Sequence, residues 1–191
     1  ASSNLNQSAI VQYARNNFNK LTPSSGGQNV PYYDFSQIPG NYDCTNFVSH
    51  ALLAGGAQVY DTGGSGISST GWYYRNLSNR SSSWSGVVNL YNFLISNTTK
   101  GPGGNGVAYH TQSPISWQNG DVLQFYSSSY GNWRHSTIIT ATHVVQQTPI
   151  WIAKPVVTGR ASASQYNDNI LAESIYVGEQ KRIVVSLKNY Y

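Results

Sequence analysis

The sequence predicts an α+β fold in which N-terminal helices pack on a C-terminal antiparallel sheet. Three observations predict it. Apolar residues recur at helical spacing in the first half of the chain and lose that period in the second. From Asp121 onward the apolar runs are short and rich in β-branched and aromatic residues. The 191 residues include a single cysteine, so a packed core rather than an internal disulfide must hold the fold. No internal repeat or composition break divides the chain, and residues 1–191 read as one domain.

The elements follow in order. SAIVQYARNNF (8–18) places Ile10, Tyr13, Ala14 and Phe18 at helical spacing. Leu21 to Gly40 reads as a long loop, punctuated by Pro23, Gly26, Gly27, Pro31, Pro39 and Gly40. Asp43 is placed to cap a helix running to about Ala54, with Cys44, Val48, Ala51 and Leu52 on one face and Gly55-Gly56 at its end. Residues 57–82, rich in Gly and Ser, are too long for an ordinary connection and read as a functional loop with short ordered pieces. Ser83 or Ser85 is expected to cap a third helix that buries Val87, Leu90 and Leu94. Residues 96–120, with GPGGNG at 101–106, read as another loop. DVLQFY (121–126), RHSTIITAT (134–142), IWIA (150–153) and RIVVSL (182–187) read as strands, and Tyr166 to Ser174 as a short helix or turn.

Composition bounds the function. Only 9% of residues are charged, against a typical quarter, so Ser, Asn, Thr, Gln, Gly and Tyr must supply the polar surface. This balance suits an extracellular protein. The chain opens on Ala1 and has no Met, which predicts a trimmed N-terminus and secretion. The net charge is +4, but the basic residues are scattered and only Lys181 and Arg182 adjoin. That argues against nucleic acid as a partner and leaves mild attraction to an anionic wall polymer. No apolar run is long enough to cross a membrane. One Cys and four dispersed His give no recognised metal-ligand spacing, so no metal and no cofactor are expected. A monomer is expected.

The chemistry concentrates on NYDCTNFVSHALLAGG, residues 41–56. A cysteine at the first position of a helix is where a thiolate is stabilised, and the free N–H groups there can hold an oxyanion. Asp43 opposes the thiolate by its charge, so capping or backbone order is its expected role. A cysteine nucleophile needs a base. His50 lies six residues along the same helix, more than a turn and a half away. His110 sits in a loop and His143 ends a strand. His135 opens a strand on which His135, Thr137, Ile139 and Ala141 share one face. The alternative for each residue is structural: a buried apolar cysteine and a hydrogen-bonded histidine.

DCTNFVSHALLAGG resembles the signature of a bacterial family described as a putative amidase domain, akin to NlpC-type cell-wall peptidases and CHAP amidases in the papain-like superfamily. AIVQYARNNFNKLTP resembles the family's leading helix, SWSGVVNLYNFL its middle helix, NGDVLQFY the turn that opens its central strand, and HSTIIT the strand that begins with its catalytic His. The resemblance implies a papain-like fold, with Cys44 as nucleophile and His135 as base. It also implies a polar third residue on the following strand. Here that strand carries Lys154 and Pro155, so Asn167, Asp168 or a backbone carbonyl is left for the role. Tyr33, in the loop before Cys44, Asp43 and Trp72 are candidates for the oxyanion or substrate site. The expected function is cleavage of amide bonds in a peptide or a peptidoglycan stem peptide. Acyl transfer by the same pair, or a non-catalytic module that binds wall polymers or carbohydrate, are the alternatives.

Overall fold

Helix α1 (Gln7–Asn17) starts where Asn6 accepts the Ala9 N–H through its side chain, satisfying an amide that has no helical partner. It buries Ile10, Tyr13 and Ala14, the stripe its spacing predicts. The architecture around it comes from a computed structural model that describes residues 1–20, 35, 42–109, 115–162 and 164–191. The expected loop from Leu21 to Gly40 therefore lies, apart from residue 35, outside the described residues, as do Tyr33 and His110.

Helix α2 (Cys44–Ala54) is buried at every residue from Cys44 to Leu53. Polar groups enclosed this way must find partners. Thr45 Oγ1 lies 2.9 Å from Ser136 Oγ, Asn46 Oδ1 accepts Trp84 Nε1 at 2.7 Å, and Ser49 Oγ accepts Trp72 Nε1 at 3.1 Å. The helix ends at Gly55 as expected. A Cβ there would stand 2.5 Å from Ile10 Cγ1, so the glycine lets α1 approach α2 closely.

The expected third helix is two. Helix α3 (Ser82–Ser85) and helix α4 (Val87–Ser96) are separated by Gly86, whose extended backbone makes it the N-cap of α4 in place of Ser83 or Ser85. Leu90 and Leu94 are buried, whereas Val87 is half-buried. Residues 57–82 do hold short ordered pieces. Strands β2 (Ile67–Ser68), β3 (Tyr74–Asn76) and β4 (Asn79–Ser81) form a small sheet, and Arg75 pairs with Asp61 at 2.5 Å beside it.

The main sheet is curled and antiparallel. It contains β1 (Ser2–Asn4), β5 (Gly101–Ala108), β6 (Val122–Ser127), β7 (Asn132–Gln147), β8 (Ile150–Arg160), β9 (Tyr166–Leu171) and β10 (Lys181–Tyr190), in the order β1-β10-β6-β7-β8-β9 with β5 also pairing β10. Three expectations are corrected. Part of the loop expected at 96–120 is the strand β5. Its glycines hide it from propensity: a Cβ at Gly104 would stand 2.7 Å from the Val185 carbonyl, and one at Gly103 would stand 2.6 Å from the Tyr190 ring. His143 does not end a strand, because β7 runs on to Gln147 and pairs His143 with Lys154 of β8. Tyr166 to Ser174 is β9 followed by a 3₁₀ turn at Ala172–Ser174, since pairing with β8 overrides its turn-like composition. Val122, Ile138 and Val184 face the helices, and Leu123, Ile139 and Ile183 fill the opposite face with Phe125 and Val157. Both faces of the central strands are thus covered, which is why their apolar runs are nearly continuous.

One interaction ties the helices to the sheet. At the end of β8, Arg160 Nε donates to Asp43 Oδ2 at 2.7 Å, with side chains 1% and 0% exposed. Arg160 Nη1 donates to the Asn17 carbonyl at 3.1 Å and to the Lys20 carbonyl, which close the C-terminal end of α1. Asp43 Oδ1 accepts from the Phe35 N–H and from Asn46 Nδ2, and the Asp43 N–H donates to the Ala161 carbonyl at 3.0 Å. Burial lowers the Arg160 pKa to about 10, so the guanidinium stays charged at neutral pH. Arg160→Met should cost about 3–5 kcal/mol in urea unfolding, because it strands a buried carboxylate. Adding Asp43→Asn should recover part of that loss; a double variant as unstable as the sum of its singles would argue against coupling.

Candidate active site

Cys44 is the first residue of α2, and its sulfur lies against the backbone of β7. The Ser136 N–H and the Thr45 N–H point at it, and Thr45 Oγ1 is 3.7 Å away. These donors favour a thiolate. Burial acts against it more strongly, the Asp43 charge adds to that, and the net effect raises the Cys44 pKa. Cys44 is 2% exposed and lines a cleft of about 210 Å³, walled also by Tyr42, the first turn of α4, Trp133 and Arg134.

His135 immediately precedes the residue whose N–H meets the sulfur. Alternation along β7 sends the Ser136 hydroxyl toward α2 and the His135 ring toward its cross-strand neighbour Phe125. The imidazole stacks on Tyr176, with ring centroids 5.7 Å apart and planes 9° from parallel. Burial lowers its pKa to about 4. His135 lines a second cavity of about 410 Å³, and Tyr42 stands in the walls of both. At neutral pH Cys44 is therefore a thiol and the His135 imidazole is neutral.

The other sequence candidates sort clearly. Asn167 lines the His135 cavity. Asp168 is engaged elsewhere: its Oδ1 pairs with Arg15 Nε at 2.7 Å and accepts from Thr158 Oγ1 at 3.1 Å. Among the described residues, none hydrogen-bonds the His135 ring. Asp43 is fully buried and held by Arg160, so it orders the backbone before Cys44 and does not meet a substrate. Trp72 is a correction of the same kind: it is fully buried and packs on Trp84 at 4.7 Å, in the core. Tyr73, Tyr74 and Trp84 are buried as well. His50 is buried between Tyr13 and Trp84, away from the helix start.

Four residues of the site were not singled out from sequence. Tyr42 and Arg134 adjoin the candidates Asp43 and His135 in sequence, and that adjacency was the available signal. Arg160 and Tyr176 are brought in only by the fold. Tyr176 carries its own mark in the structure: its φ is 48°, a left-handed conformation that is costly for a bulky residue. Burial raises its pKa, followed by the nearby Cys44.

Burial of the two imidazoles links the site to acid stability. His50 and His135 each have a folded pKa of about 4, below the ordinary 6.5. The unfolded chain therefore takes up protons first, and their contribution is present above pH 6.5 and lost as pH falls toward 4. The loss is on the order of 3 kcal/mol per ring. Asp121, raised to about 6 by burial, works the other way and loses stability as pH rises toward 6. Two rings outweigh one carboxyl, so the thermal midpoint should drop between pH 6.5 and 4; a flat profile in scanning calorimetry would contradict this.

Comparison with known proteins adds the family. Residues 4–183 match the sequence family described as "Putative amidase domain". Over 131 residues, 69% of this chain, the sequence is 31% identical to the uncharacterized protein YhbB of Bacillus subtilis (strain 168). The matched segment covers 35% of that relative, so the chain spans well under two thirds of its length. No solved structure matches. With a cysteine-first helix, an adjoining strand histidine and a match across nearly its whole length, the chain belongs to the family described as "Putative amidase domain".

Proposed function

We propose that this chain is a secreted, papain-like cysteine hydrolase that cleaves an amide bond in a peptide or a peptidoglycan stem peptide. One observation carries the reading: Cys44 opens α2 with its sulfur against the Ser136 N–H, one residue from His135, and lines a cleft. His135 takes the thiol proton, directly or through one water, as the sulfur bonds to the carbonyl carbon. The N–H groups at the start of α2 hold the oxyanion. The proton then passes to the leaving nitrogen as the C–N bond breaks, and water hydrolyses the acyl-enzyme and restores the thiol.

Tyr176 fills the place of the missing third residue. In related catalytic pairs a hydrogen-bonding group fixes the imidazole; here two rings do so, Tyr176 in parallel stack and Phe125 at 5.8 Å. A strained Tyr176 backbone persists because the packing around it over-determines it. Tyr176 is a positioning residue in this reading.

A second reading has its own support. The raised Cys44 pKa and 2% exposure also suit a non-catalytic module that binds wall polymer through its clefts.

The two readings part on measurement. Release of amine from an acyl p-nitroanilide and from purified peptidoglycan should be seen with the native chain and fall more than about a thousand-fold in Cys44→Ala. Unchanged turnover in that variant would end the cysteine mechanism. Because the resting pair is neutral, iodoacetamide labelling should be slow at pH 6 and rise about ten-fold per pH unit through the alkaline range. A rate already flat from pH 6 would instead indicate a thiolate–imidazolium pair. Tyr176→Ala should lower kcat with little change in KM, and shift the His135 NMR titration up from about 4 toward 6.5. Tyr176→Phe should keep both near native; equal effects of the two variants would remove the stacking role.

A further inference from the structure

The cleft beside Cys44 carries a positive charge with no counter-ion among the described residues. Arg134 lines it, half-buried. Its guanidinium lies between two phenol rings, 4.4 Å from the centroid of Tyr42 and 4.2 Å from that of Tyr130. Stacking of this kind fixes the plane of a guanidinium and leaves its N–H edge free to face a ligand. Among the described residues no carboxylate lines the cleft and none pairs with Arg134. The acids among the described residues are engaged elsewhere: Asp43 with Arg160, Asp61 with Arg75, Asp121 with Gln7, Asp168 with Arg15, Glu173 with Lys154, and Glu179 with Ser128. Asn89 and Asn132, whose side-chain amides can donate, stand in the same walls.

From this arrangement we infer that Arg134 is a specificity residue that recognises a carboxylate on the substrate, close to the amide that Cys44 attacks. The inference rests on the hydrolase reading for the role of that carboxylate, but not for its binding. A planar, clamped guanidinium matches a carboxylate in two parallel hydrogen bonds. The substrate class is thus a peptide with a free carboxylate beside the scissile bond, and a neutral amide at that place would leave Arg134 unmatched.

The test separates binding from turnover. An N-acetylated alanine dipeptide ending in a free carboxylate is titrated into the Cys44→Ala chain by NMR, alongside the same dipeptide ending in a carboxamide. The acid should bind about ten-fold or more tightly than the amide, as expected for a charge-assisted pair. That ratio should fall to within about two-fold when Arg134→Gln is added, and the preference should weaken with added NaCl. Arg134→Lys, which keeps the charge and loses the planar fork, should retain an intermediate preference and guards against misfolding of the Gln variant. Equal binding of acid and amide, a preference that survives Arg134→Gln, or no binding of either peptide would overturn the inference. Acid-selective binding by a native chain that hydrolyses neither peptide nor the p-nitroanilide would refute the hydrolase reading and leave the carboxylate site standing.

Discussion

The buried pair of Asp43 and Arg160 is the constraint on which the site depends. Arg160 comes from the far end of β8, 117 residues away along the chain. It fixes the residue just before Cys44 to the sheet and, through its other nitrogen, to the end of α1. Ion pairs sealed from water are costly to form and give little net stability. Their value lies in allowing few alternatives, since a carboxylate without its partner cannot stay in this interior. Asp43 is poorly placed to help a thiolate electrostatically, and pairing with Arg160 blunts that drawback while holding the backbone that presents Cys44.

The rest of the site follows from how dry it is. Desolvation moves the thiol and the imidazole in opposite directions, both toward the neutral form. A resting site of this kind is poorly reactive until something enters it. The donors for a thiolate are nevertheless in place, since Ser136 and Thr45 present N–H groups to the sulfur. In the proposed hydrolase, reactivity is thereby conditional on the occupant, which guards the thiol against stray electrophiles. The aromatic stack on His135 fits the same logic. Rings restrain an imidazole without supplying the charge that a carboxylate partner would add.

Much of this was legible in the sequence, and the remainder was hidden for identifiable reasons. The helix at Cys44 and the strand at His135 were readable because local patterning and tertiary burial agree there. The strand β5 was not, because its glycines are chosen for close approach to Val185 and Tyr190 and carry no strand propensity. The break at Gly86 was missed because a seryl run suggested a capping side chain, whereas α4 begins at an extended glycine. Trp72 looked like a groove residue by composition and is core by packing, a distinction that aromatic density alone does not make. Arg160 and Tyr176 have no local signature at all. Their roles exist only once β8 and the segment after β9 are folded against α2.

Helix α2 is enclosed on every side, while Tyr130, Asn132 and Arg134 lie on the turn and early strand that wall the cleft. Cys44 is therefore held as part of the core and cannot shift without disturbing it. One wall of the cleft belongs to a hairpin that meets water, where substitutions are tolerated. A lineage built on this scaffold can change the lining of the cleft by exchanging a few residues of one turn, while the Cys44 sulfur keeps its place. Variation of the cleft and constancy of Cys44 are in this way assigned to different parts of the molecule.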